Sequence, residues 1–261
     1  MSGAADLKLL LDEAHARYNA PGFIPDDPVS IPHQFEARAD IEIAGFLTAL
    51  IAWGRRASIL ASARRLMALM EHAPHQFVME ADGAALARLD SFCHRTFNGT
   101  DARALVLALR HAYAEAGGLE AVFSAGIRPE DPTVFGGIVQ ARRQLTGAPG
   151  FPARTFKHLA DPAAGSSAKR INMFLRWMVR SDRRGVDFGL WKQIRPDQLI
   201  CPLDVHTGTV ARGMGLLQRR QNDWQAALEL TEALRAFCPE DPVRYDFSLF
   251  GLGVSGAWQD L

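Results

Sequence analysis

A chain of 261 residues, 48% of them hydrophobic, is long enough to bury a sizeable core as one large domain or two interlocked lobes, with no disulfide or metal required. Its 29 basic and 29 acidic residues balance, which argues against a polyanion binder that works by net charge alone. Cys93, Cys201 and Cys238 are far apart and form no Cys-x-x-Cys pair, so the sequence indicates no disulfide framework, metal centre or cofactor, and a reducing compartment is expected.

Acidic and polar residues interrupt every apolar stretch of the first 23 residues, so the order of a secretory signal is absent. No apolar run approaches the ~18 residues of a membrane span. The expected location is the cytoplasm, at the nucleoid if the chain binds DNA. A short first helix is expected before residues 21–35, which carry four prolines and no helical period and read as an extended, ordered connection.

Helices dominate the rest of the chain. In residues 39–53, Ile43, Phe46, Leu47 and Leu50 recur at the spacing of one buried helical face. After the polar break Gly54-Arg55-Arg56, a second helix is expected over 57–71. A third spans 100–118, with Thr100 or Asp101 as N-cap and a glycine pair as stop. Asp131-Pro132 and Asp241-Pro242 each fit an N-cap followed by proline in the first turn. No Asn-Gly or Asp-Gly hairpin signal separates alternating apolar runs, and no internal repeat is evident. The fold class read from the chain is all-α.

The segment from Asp161 onward carries the chemistry. Gly165-Ser166-Ser167 opens a helix that Ser166 or Ser167 can cap. Ile171, Phe174, Leu175 and Met178 form its apolar stripe, and Lys169, Met173, Arg176 and Arg180 share the opposite face. Unpaired N–H groups at such a helix start suit a phosphate, although small residues before a helix are also an ordinary capped start. Asp204 stands at an N-cap position before Val205 and Val210, with His206 two residues on; alone, each also reads as structural. From Arg142 to Arg184 there are ten Lys or Arg against two acidic residues, read either as a solvated face or as a nucleic-acid surface.

The order of a Gly-containing loop, Lys169, an amphipathic helix, and Leu203-Asp204-Val205-His206 followed by Val210 and Gly215 resembles the helix-hairpin-helix DNA glycosylase superfamily. The chain also resembles a bacterial family of unassigned activity placed in that superfamily, through Ser167–Arg180, Pro202–His206, Arg220–Trp224 and Asp241–Gly253. It departs from the superfamily in several places. Leu159–Gly165 replaces the usual Leu-Pro-Gly-Val-Gly hairpin, Thr209 stands where arginine is usual, and the four-cysteine cluster of one branch is missing. The long interval between Lys169 and Asp204 is similar to that of archaeal 8-oxoguanine DNA glycosylases.

The resemblance implies a helix-hairpin-helix glycosylase-like fold of two helical lobes with a cleft between them, a central lobe over 37–195 and a second lobe from 1–36 with 196–261. It implies a DNA glycosylase with abasic-site lyase activity, acting through a Lys169 Schiff base assisted by Asp204 on a damaged base, an oxidised purine by analogy with the archaeal enzymes. The partner would be double-stranded DNA bearing a damaged base or abasic site, bound by a monomer. Gly165, Ser166, Ser167, Arg170, Arg176 and His206 would bind the DNA or substrate around that pair. Trp53, Arg55 and Arg56, at a turn that often faces DNA in the superfamily, would contribute further contacts. The alternatives are a non-catalytic nucleic-acid-binding protein of the same fold, an enzyme acting on a free nucleoside or another small glycoside, and a helical interaction protein.

Overall fold

Proline presets φ near −65°, which suits tight 3₁₀ turns, and residues 21–34 use it that way. The computed structural model, which describes residues 3–256 and Trp258, has three such turns there, Pro21–Asp26, Pro28–Ser30 and Pro32–Gln34, rather than an extended connection. The described chain is otherwise mostly helical. Its helices are α1 (Ala4–Tyr18), α2 (Arg38–Leu50), α3 (Arg56–Leu69), α4 (Pro74–Glu80), α5 (Gly83–Ala87), α6 (Gly99–Ala116), α7 (Leu119–Ser124), α8 (Phe135–Thr146), α9 (Lys169–Val179), α10 (Val205–Gly213), α11 (Trp224–Arg235) and α12 (Asp246–Ser255). None is long and apolar enough to cross a membrane.

One hairpin interrupts the helices. The two-residue strands β1 (Cys93–His94) and β2 (Phe97–Asn98) pair antiparallel, with His94 opposite Phe97. Its turn is Arg95-Thr96, which carries neither of the Gly-containing dipeptides by which such turns are recognised in sequence. Asn98 then caps α6 in place of Thr100 or Asp101. Asp101 closes a capping box with it, and Gly117 at φ +81 ends the helix.

Two units account for the contacts. One comprises Ile24–Pro129 and Phe135–Ala160; the other comprises Met1–Phe23, Glu130–Val134 and Asp161–Leu261. These boundaries put 161–195 with the chain ends, not with the central helices. The reason is ionic as well as apolar: Arg176 of α9 and Arg180, just past its end, find their carboxylates at Asp187, Asp241 and Asp246. Residues 130–134 join this unit because Val134 N donates to Gln198 O at 2.9 Å and Gln198 Nε2 donates to Asp131 O at 2.9 Å.

In the first of these units, α2 is buried from Ile41 to Leu50, on all sides rather than one face. Within it Glu42 is held by Arg38 and by the Tyr113 hydroxyl. In the second, α12 packs against α1 and α10, and Phe174, Trp177, Trp191, Leu230 and Phe247 are buried in its core. Neither Asp-Pro pair caps a helix with its side chain. The helix after Asp131 begins only at Phe135, and the carboxylate of Asp241 is taken by Arg180 Nε, at 3.1 and 2.9 Å.

Candidate active site

The loop before α9 is built by its own backbone. Asp161 Oδ1 accepts from Ala163 N and Ala164 N at 3.1 and 3.3 Å, Gly165 N donates to Pro162 O, and Ser166 N donates to Asp161 O. Gly165 lies at φ +89, a region that glycine enters without steric cost. Ser166 bridges Asp223, and Trp224 N donates to Gly165 O at 3.1 Å, so the Arg220–Trp224 motif braces this loop. Arg212 holds that motif by donating to the carbonyls of Arg219 and Arg220 and to Asn222 Oδ1.

Neither serine caps α9. The N-cap is Ala168, in the left-handed region at φ +50, whose own side chain makes no capping bond. Ser166 Oγ accepts from Ala168 N at 3.2 Å, while Ser167 Oγ donates to Leu203 O at 3.3 Å. Five loop N–H groups, from Ala163, Ala164, Gly165, Ser166 and Ala168, thus donate within the loop. Of the three residues Gly165, Ser166 and Ser167, the first two thus spend their N–H groups inside the loop. What Ser167 does is tie the turn before Lys169 to the chain entering Asp204.

On the other side, Cys201 N donates to Thr231 Oγ1 at 3.0 Å, fixing the approach to α10 on α11. Asp204 is the N-cap of α10: its Oδ1 accepts from Thr207 N at 2.9 Å. That leaves Oδ2, which lies 3.6 Å from Lys169 Nζ. Both side chains are 30% exposed, and Asp204 is the one ion-pair partner of Lys169 among the described residues. The two residues meet inside a single unit of the chain rather than being supplied by separate lobes. Val205, His206 and Thr209 are exposed on the opening turns of α10 beside the pair.

Arg176 is not a surface contact. Its side chain is 5% exposed, donates to Asp187 Oδ1 at 3.2 Å and to Asp246 Oδ2, and lies 4.2 Å from the centre of the Phe247 ring. Residues 171–179 are buried throughout, so the polar side of α9 faces an ionic interior and not solvent. Arg180 is likewise buried, and so are Trp177 and Trp191. Arg170 is half-buried, and burial lowers its guanidinium to about 10.

Asp246, in the first turn of α12, was not singled out from sequence. The available signal was an acid inside the apolar run Tyr245–Phe250, which had to be buried and paired. Burial pushes its carboxyl up to about 6; Arg176 and Lys169 oppose that rise, and Asp204 adds to it. The Cys201 thiol is pushed well above its ordinary range by burial, with Asp246 and Asp204 adding to the effect, so it is no nucleophile. A neutral-capable acid, Asp246, therefore adjoins a lysine–carboxylate pair. Among the described residues no group of three His, Cys, Asp or Glu is placed to hold a metal ion.

Trp53, Arg55 and Arg56 belong to the other unit, the first two on the link between α2 and α3 and Arg56 at the start of α3. Trp53 is half-buried, stacked on His158 at 5.9 Å and edge-on to His94 at 5.0 Å, and Arg55 and Arg56 are exposed.

Fold and site together define a mostly helical protein with a half-exposed lysine–aspartate pair set on two helix starts. The chain belongs to the family described as "Protein of unknown function (DUF2400)", which matches residues 27–255. No curated protein and no solved structure matches it.

Proposed function

We propose that the protein is a DNA glycosylase with associated abasic-site lyase activity, in which Lys169 is the nucleophile and Asp204 its carboxylate partner. The observation that carries this reading is the 3.6 Å approach of Lys169 Nζ to Asp204 Oδ2, with both groups 30% exposed. It brings together the two residues on which the resemblance to helix-hairpin-helix glycosylases rests. A lysine meant only for solubility has no need of a partner 35 positions away.

The chemistry follows from the pair. The amine attacks only when neutral, and Asp204 can take the ammonium proton across the pair. Nitrogen then bonds to C1′ of a flipped-out nucleotide, and the bond from C1′ to the base breaks with its electrons leaving on the base. The departing base takes up that proton, and the carboxylate so restored stabilises the positive charge that develops on the sugar in a partly dry setting. Opening of the sugar ring leaves an iminium on Lys169, from which the 3′ phosphate departs by β-elimination. The lesion is proposed to be an oxidised purine, following the similarity to archaeal 8-oxoguanine glycosylases.

A second reading, nucleic-acid binding without catalysis, is favoured by one feature: Asp204 already serves as a helix cap, so its presence has a structural explanation. Borohydride trapping on duplexes containing an abasic site or oxidised bases decides between them. Under the enzymatic reading wild type forms a covalent adduct and Lys169→Gln forms none. Binding without an adduct on any duplex selects the second reading.

A further inference from the structure

Two-residue hairpin loops place residues at positive φ, and Gly, Asn and Asp usually fill those positions. The β1–β2 turn uses arginine instead: Arg95 sits at φ +56. Such backbone persists where its surroundings fix it, and it concentrates where function needs a side chain in one place. Here the surroundings do fix it. His94, the residue before, is buried, with Nδ1 2.8 Å from Ser62 Oγ and Nε2 3.2 Å from Trp53 O.

The Arg95 side chain is laid across Gly54. A Cβ on Gly54 would stand 2.8 Å from Arg95 Nη1 and 3.4 Å from Cδ, and Gly54 itself lies at φ +102. Only glycine meets both conditions. Its guanidinium thus lies against Gly54, which in the chain follows the half-buried Trp53 and precedes the exposed Arg55 and Arg56. Neither Arg55 nor Arg95 makes an ion pair among the described residues. Four other arginines of this unit, Arg38, Arg88, Arg103 and Arg154, do have carboxylate partners.

We infer that Arg95, with Arg55, is a phosphate clasp beside Trp53, and that its ligand is the sugar–phosphate backbone of nucleic acid. Residues 54–56, 95 and 96 are all exposed, so no enclosed pocket exists for a small anion. A free phosphate would meet only solvent-screened charges, whereas a polyanion gains from counterion release at each contact. This rests on the nucleic-acid reading above, and adds to it a residue from a unit that holds neither Lys169 nor Asp204.

The test is fluorescence anisotropy of the full-length protein on a labelled duplex with a non-cleavable abasic analogue, over a salt series, beside thermal melting. Arg95→Asn removes the charge and supplies a residue suited to positive φ; Arg95→Gln removes the charge and leaves the unfavourable backbone. Both should bind roughly 3- to 10-fold more weakly, with a salt slope shallower by about 0.9 for the lost phosphate contact. Arg95→Asn should melt at or above wild type. Wild-type affinity and slope in both variants overturns the clasp, as does weakening confined to one of them, since the charge is common to both losses. A wild-type protein that binds no duplex overturns the clasp and the function proposed above together. Lys169-dependent trapping alongside unchanged Arg95 variants overturns the clasp alone.

Discussion

Arg176 was expected at the DNA surface and is found inside, so its replacement separates the two roles. Arg176→Met keeps an unbranched apolar stem and removes the charge, and Asp187 retains Arg180 Nη1 at 3.0 Å. Asp246 loses the guanidinium that holds it ionised. Its carboxyl stands at about 6 in the intact protein. Denied its cation it is forced towards the neutral form, and holding a group of pKa about 6 neutral at pH 8 costs about 3 kcal/mol. At pH 5 that group is already mostly protonated, and this part of the loss vanishes. The contact with the Phe247 ring and the packing contribute about 1–2 kcal/mol at either pH. Urea denaturation should therefore show a loss of about 4 kcal/mol at pH 8, within the range for breaking a buried pair, and about 1–2 kcal/mol at pH 5. Equal losses at the two pH values would show that Asp246 is not the group responsible.

Asp204 has two roles that substitution can divide. Asp204→Asn keeps an oxygen for Thr207 N and should melt close to wild type while losing the borohydride adduct; Asp204→Ala should lose the adduct and also about 1 kcal/mol of stability. Trapping by Asp204→Asn at the wild-type rate would remove the carboxylate from the chemistry. His15 makes the acid limb of stability testable. Burial, then Arg244, Arg180 and Arg184, lower it to about 3, so the unfolded chain takes up a proton near 6.5 that the folded chain refuses. The stability it contributes is complete above pH 6.5 and is lost as pH falls, by about 1.4 kcal/mol per unit down to about 3. Asp241 and Asp246, both raised to about 6 by burial, act in the opposite sense, their contribution falling as pH rises from about 4 to 6. Comparing His15→Gln with wild type isolates the histidine: the variant should lack the 3-to-6.5 slope, and parallel curves would show that His15 protonates freely in the fold.

Much of the helical framework was legible because local patterns suffice for it. Apolar spacing located α2 and α9, the polar break Gly54-Arg55-Arg56 marked off α3, a glycine pair stopped α6, and Asp204 read as the cap it is. Local signals failed where a side chain had a distant partner. Asp241 looked like a cap and is a carboxylate for Arg180, and Ser167 looked like a cap and bonds Leu203 O, 36 positions on. The hairpin was invisible because arginine occupies the place of its usual glycine or asparagine.

Arg176 shows the limit most clearly. Periodicity put it on the polar side of α9, which is correct, but periodicity cannot say whether a polar side meets water or buried carboxylates. That depended on Asp187 and Asp246, 11 and 70 residues away. The sequence by itself determined the helical class and named Lys169 and Asp204 as a pair worth testing. Only the tertiary structure decided that they stand 3.6 Å apart, because a distance between residues 35 positions apart depends on the path of the chain that returns α10 beside the start of α9, to which no local pattern refers.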